Sequence, residues 1–142
     1  MKKSKIVKLY LIARKLHKMK IPLLPNMIRK LIRLLFSAEI PFTADIHKSV
    51  ELKHGGLGIV IHDKTSIGKN CVIYQHVTIG GRENRGHPII GDNVYIGAGA
   101  CILGNVKIGD NVKIGANSVV LNDVDNDTTV VGIPARPVKV ID

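Results

Sequence analysis

His54 and His87 each lie in a short stretch that interrupts an otherwise even six-residue pattern. An imidazole titrates near pH ~6.5, so it can take or return a proton at neutral pH, and both residues are candidates for general acid–base work. His54 opens the run His54-Gly55-Gly56-Leu57-Gly58, and His87 closes the run Arg82-Glu83-Asn84-Arg85-Gly86-His87-Pro88. His47, His62 and His76 fall at regular positions of the pattern and read as surface or interface residues, with His76, next to Val77, able to approach a site. Cys71 and Cys101 are too few and too far apart for a disulfide framework or a zinc cluster. No metal site is expected.

These side chains need a scaffold, and the spacing of the aliphatic residues supplies one. From Ile40 an aliphatic residue recurs every six positions, through Ile46 and Leu52, then Ile61 to Ile79, then Ile90 to Val120. The fourth residue after each is usually small or β-branched, as at Ala44, Val50, Thr65, Cys71, Val77, Ala100 and Val112. Neither the helical period nor strand alternation makes this pattern; a hexapeptide repeat does. Each hexad supplies one short strand and one corner, three hexads close a triangular coil, and coils stack at the ~4.8 Å spacing of paired strands. The fold class is therefore mainly β, a parallel β-helix of about four to five coils over residues 39–142, with a short helical arm over residues 1–38.

Two steps break the period. Leu52 to Ile61 spans nine residues and Ile79 to Ile90 spans eleven, and each excess contains one of the two candidate histidines. A loop inserted at a solenoid corner adds nothing to the core, so it calls for a functional explanation. Coil counting sends the two loops out at different corners. A homotrimer with active sites between subunits would bring one corner of a chain against a different corner of its neighbour.

The net charge of +10 belongs to the arm. Residues 1–38 carry eleven Lys or Arg and no acid, while residues 39–142 are near neutral. A nucleic-acid-binding body would show a basic face interleaved with aromatics, and none is present, so no nucleic-acid partner is expected. Two amphipathic helices are expected in the arm. In the first, over 5–20, Ile6, Leu9, Ile12, Ala13, Leu16 and Met19 share an arc; in the second, Met27–Phe36, the basic Arg29, Lys30 and Arg33 fall together. The arm caps the first coil, and its charge suits peripheral contact with an anionic membrane through residues 1–36. No apolar run reaches membrane-spanning length, and lysines and arginines interrupt any leader-like core, so a cytoplasmic protein at the inner face of the membrane is expected.

The stretches HGGLGIVI (54–61), QHVTIGG (75–81), HP (87–88), IGAGACILGN (96–105), IGANSVV (114–120) and GIPARP (132–137) together resemble the catalytic domain of serine acetyltransferases and related polysaccharide O-acetyltransferases. The resemblance covers residues 40–139 and implies a left-handed coil and acetyl-CoA as co-substrate. It implies His54 as the catalytic base, His87 as the second active-site histidine and Asp45 as the carboxylate that orients His54. Gly80, Gly81, Ala98, Ala116, Arg136 and Lys139 would line the CoA groove, and Arg82 and Arg85 would meet the acceptor. The chain departs from the family in having Lys53 where an Asp precedes the catalytic His, and Arg85 two residues before His87 rather than one. The Asp45–His54 separation is also about six residues short. The family's serine enzymes carry a long helical domain that these residues do not contain, which favours a sugar hydroxyl of a surface polysaccharide or its precursor over free L-serine. The trimeric β-helical carbonic anhydrases would need a His-x4-His pair, and the sequence has none.

Overall fold

The computed structural model describes residues 4–139. Helices α1 (Lys5–Lys18) and α2 (Leu24–Phe36) precede a solenoid of short strands. Coil 1 holds β1 (Asp45–Ile46), β2 (Glu51–Leu52) and β3 (Val60–Ile61); coil 2 holds β4 (Ser66–Ile67), β5 (Val72–Ile73) and β6 (Thr78–Gly80). Coil 3 holds β7 (Ile89–Ile90), β8 (Tyr95–Ile96) and β9 (Cys101–Leu103), and coil 4 holds β10 (Lys107–Ile108), β11 (Lys113–Ile114) and β12 (Val119–Val120). A partial fifth coil adds β13 (Thr129–Val131), against which β14 (Arg136–Pro137) folds back antiparallel.

Every third strand stacks in parallel, so three sheets form the walls: β1-β4-β7-β10, then β2-β5-β8-β11-β13-β14, then β3-β6-β9-β12. The register is strict, pairing Ile46 with Ile67, Leu52 with Ile73 and Ile61 with Ile79. Each wall therefore carries one internal column of aliphatic side chains. Ile46, Ile67, Ile90 and Ile108 line the first, Leu52, Ile73, Ile96, Ile114 and Val130 the second, and Ile61, Ile79, Ile102 and Val120 the third, all buried. The small positions Ala44, Cys71, Val77, Ala100 and Val112 are also buried, at the corners where a larger side chain would not fit.

At the corner between the first and second sheets the left-handed residues are asparagines and one aspartate rather than the glycines that follow the aliphatic positions. Asn70, Asn93, Asn111 and Asp127 all have φ between 55° and 59°, a region these short polar side chains tolerate. Their side chains form a ladder, Asn93 Nδ2 donating to Asn111 Oδ1 at 3.1 Å and Asn111 Nδ2 to Asp127 Oδ1 at 2.7 Å. The glycines serve close approach instead: a Cβ on Gly97 would lie 2.6 Å from the Ala116 nitrogen of the next coil.

The arm covers the open end of coil 1 and shares its core. Ile6, Val7 and Tyr10 of α1 are buried in the same cluster as the aliphatic columns, as is Ile32 of α2, and Ala13 of α1 is buried beside them. This corrects the expected arc of α1: Ile12 and Met19 are exposed, and the buried stripe runs through Val7 and Tyr10. Tyr10 decides the rotation. Its hydroxyl donates to Ala44 O at 2.6 Å and accepts from Ile46 N–H at 3.0 Å, satisfying backbone groups that no earlier coil can reach.

Candidate active site

The first insertion leaves between the second and third sheets. Leu52 ends β2, and the chain then makes a tight turn over Lys53–Gly56 in which His54 itself is left-handed, with φ 51° and ψ 37°. Gly55, Gly56 and Gly58 follow with φ of 67°, 76° and 67°, a run that β-carbons would resist. The helical arm seats this turn, since Gly56 packs against Ile6 of α1, Gly55 lies near Phe36 of α2, and Gly58 N–H donates to Ser37 O at 3.0 Å. His54 is exposed, and its ring makes no hydrogen bond among the described residues. Its neighbour is Tyr74, 6.0 Å away between ring centroids, and Tyr74 in turn lies 5.3 Å from Tyr95. A hydrogen bond with Tyr74, more than the slight desolvation of an exposed ring, holds the Tyr95 phenol above its ordinary pKa. Lys53 bonds Glu51 Oε1 at 2.5 Å, which raises its pKa in turn. His76 packs its ring over Gly58, so it borders this loop.

Asp45 and His54 do not meet within the chain. Asp45 stands on the first sheet with its side chain 74% exposed, and its carboxylate takes the Arg14 guanidinium at 2.6 Å. Sequence reasoning missed a second carboxylate. The Asp45–His54 separation is about six residues too short, and six residues upstream of Asp45 lies Glu39. Glu39 bridges Val60, the first strand residue after the His54 loop, and its side chain pairs with Arg29 and, at 3.5 Å, Arg33. The missing spacing was the signal that could have found it.

The second insertion leaves between the third and first sheets, so the two loops depart from different corners, as coil counting expects. Residues 81–86 are exposed and His87 is half-buried. The His87 ring stacks on His62, with 5.6 Å between centroids and 7° between planes. Among the described residues the Arg85 side chain pairs with Glu83 of its own loop alone, at 3.5 Å. Arg82 lies beside Gly104 one coil on. His62, Lys64, Gly81, Arg82 and His87 line one cleft at this corner.

The residues expected to hold CoA divide between two corners. Ala98 and Ala116 lie at the corner between the second and third sheets in coils 3 and 4, and Asn117 N–H donates to Ala98 O at 2.8 Å. Gly80 and Gly81 lie at the corner of the second insertion, Gly80 paired with Leu103. Arg136 and Lys139 are exposed on the returning tail, which Val138 N–H ties to Thr129 O at 2.9 Å. Burial pushes the Cys71 thiol up to about 11, so it is no nucleophile at neutral pH. Among the described residues no group of three or more His, Cys, Asp or Glu could hold a metal ion.

The bacterial transferase hexapeptide (six repeats) family matches residues 87–122. A serine acetyltransferase of Staphylococcus epidermidis is 50% identical over 133 residues, covering 92% of this chain and 62% of that protein. Soybean serine acetyltransferase complexed with serine superposes with a TM-score of 0.88 at 42% identity, covering 94% of this chain and 56% of the soybean chain. A serine acetyltransferase in complex with CoA superposes at 0.86 and 38% identity, covering 94% and 55%. The chain thus spans between half and two thirds of the length of these relatives.

Proposed function

Because the chain belongs to the hexapeptide-repeat family of left-handed β-helix acyltransferases, we propose that it transfers the acetyl group of acetyl-CoA to the hydroxyl of a small acceptor, with L-serine the foremost candidate. The carrying observation is His54: an exposed imidazole on a strained, glycine-rich turn, with no hydrogen bond among the described residues to occupy it. Serine stands ahead of the saccharide acceptor that the sequence suggests, because relatives at 50% and 42% identity carry the serine enzyme's name and one solved relative holds serine itself.

In this reading His54 takes the proton of the acceptor hydroxyl as its oxygen attacks the thioester carbonyl. The new C–O bond replaces the C–S bond, and the proton passes from His54 to the departing CoA sulfur. Direct transfer is the simpler course, since Cys71 is buried and protonated. Of the two carboxylates, Glu39 is the better partner for His54, because it joins the strand into which the His54 loop runs. Both carboxylates are paired to arginines, Asp45 to Arg14 and Glu39 to Arg29 and Arg33, so position and not pairing separates them. The split of the histidines and of the CoA-lining residues between two corners favours a trimer, in which the corner of one chain completes the other corner of its neighbour.

The acceptor screen is decisive. CoA release from acetyl-CoA is followed with L-serine against sugar nucleotides and oligosaccharides. Turnover on L-serine alone supports this reading; turnover only on saccharides restores the polysaccharide acceptor; no turnover on either sinks the enzyme assignment.

We further infer peripheral attachment of the arm to an anionic bilayer. Among the described residues no helix is long and apolar enough to cross a membrane. On α2 and just before it, however, Leu23, Met27, Leu31, Leu34 and Leu35 form one uncovered apolar stripe, with Leu34 79% and Leu23 76% exposed. Arg14, Arg29 and Arg33 are spent on Asp45 and Glu39. Lys5, Lys8, Lys15, Lys18, Lys20 and Lys30 remain exposed to meet lipid phosphate.

A further inference from the structure

His62 has no part in the proposed reaction, yet it holds the ring of His87. The two imidazoles are nearly parallel at 5.6 Å between centroids, inside the ~4.5–7 Å range of packed aromatic pairs. They belong to different coils. His62 follows β3, and His87 ends the insertion that follows β6. The Ile61–Ile79 register and the bond from His62 N–H to Ile79 O at 2.8 Å fix His62 beside the point where the insertion departs. The loop offers His87 little else, being exposed from Gly81 to Gly86.

The His62 ring is itself anchored along one edge. Its Nδ1 accepts Lys64 N–H at 3.1 Å and lies 3.1 Å from Asp63 Oδ1. These contacts require opposite states of one nitrogen: bare, it accepts from Lys64; protonated, it donates to Asp63. The ring plane is held in either state, and so is the face offered to His87. Gly81 leaves room for the pair, since a Cβ there would lie 3.4 Å from His62 Cδ2 and Nε2 and 3.2 Å from Gly86 O.

We propose that His62 is a positioning residue for His87, its stacked ring setting the plane in which the 81–88 loop presents His87 to the reacting groups. The charged neighbours of the pair are Asp63 and Lys64 beside His62, and Arg82 and Glu83 on the loop. The inference rests on the reading of His87 as an active-site residue.

The test compares His62→Ala, His62→Phe, His62→Leu, His87→Ala and the double His62→Ala/His87→Ala in the full-length protein, with thermal melts to verify folding. His62→Ala lowers kcat ~10-fold by misplacing His87, while KM for acetyl-CoA stays within about two-fold. His62→Phe, which can still stack, returns to within ~3-fold of the parent, and His62→Leu, which fills similar space without a ring, does not. The double variant is no slower than His87→Ala alone, because His62 acts only through His87. The ring signals of His87 in ¹H–¹³C NMR give a readout independent of turnover: they shift and broaden in His62→Ala and not in His62→Phe. Unchanged His87 signals in His62→Ala, effects that multiply in the double variant, or equal activity of the Leu and Phe variants overturn the proposal. A His87→Ala variant as active as the parent, with the His87 ring signals still shifted in His62→Ala, overturns only the catalytic reading of His87.

Discussion

Ile6 of α1 lies so close to Gly56 that a Cβ on the glycine would come within 2.7 Å of Ile6 Cδ1. The contact joins the helical arm to the loop that carries His54, two residues away. Gly56 also has φ of 76°, which an L side chain resists. Gly56→Ala is therefore expected to cost about 1–3 kcal/mol in stability and to lower kcat by moving His54. Urea melts and steady-state kinetics check both, and a variant as stable and active as the parent would detach the arm from the site.

His54→Ala is expected to lower kcat by ~10²–10⁴ with acetyl-CoA affinity retained, the loss typical of a removed general base. Because His54 and His87 leave different corners, mixing His54→Ala and His87→Ala chains under conditions of verified subunit exchange should restore part of the activity. Complete failure to recover would place both residues in one subunit's site.

Glu39 and Asp45 make opposite predictions. Glu39→Gln removes the negative charge that would stabilise an imidazolium at His54 and should reduce kcat by ~10-fold or more. Asp45→Asn only loosens a solvent-facing pair with Arg14, so its kcat should stay near the parent's and its stability should change by less than ~1 kcal/mol. The reverse ranking of the two kcat values would return the role to Asp45.

Cys71 gives a pH dependence of known sign. Its thiol ionises at about 11 in the folded chain, against 9.0 for an unperturbed cysteine, because burial penalises the thiolate. The unfolded chain sheds that proton first, so this contribution to stability is whole below pH ~9 and is lost as the pH climbs toward 11, on the order of 2 kcal/mol in all. Denaturant midpoints of the parent and Cys71→Ala, compared from pH 8 to 10.5, should converge as the pH rises. A constant gap between them would refute the coupling.

The uncovered stripe on α2 should bind vesicles. Co-sedimentation is expected with vesicles containing anionic lipid at low salt and not with neutral vesicles, each engaged lysine contributing on the order of 1 kcal/mol. Leu31→Ser/Leu34→Ser should weaken it. Binding that ignores lipid charge, or none at all, leaves the arm as a cap for the solenoid.

Much of this molecule could be read along the chain because its core is one-dimensional. Each coil buries its aliphatic residues against only the coils above and below, so a six-residue period in Ile, Leu and Val maps directly onto three columns of side chains. The same regularity exposed the loops of His54 and His87 as departures, and counting hexads assigned them to different corners. Sequence also determined that the arm is basic and helical.

What tertiary packing decided lies where no period runs. The rotation of α1 depends on Tyr10 reaching Ala44 and Ile46, 34 and 36 residues away, and no helical wheel contains that constraint. Asp45 is turned to Arg14 because the arm lies over the open end of coil 1, while Glu39 comes to the strand that follows the His54 loop through a bridge to Val60. The stack of His62 on His87 exists because 25 residues of chain make slightly more than one circuit, which brings two corners of adjacent coils together. Local pattern sets which residues face inward; which outward-facing side chains touch depends on the closure of each coil, a property of the assembled solenoid rather than of any one hexad.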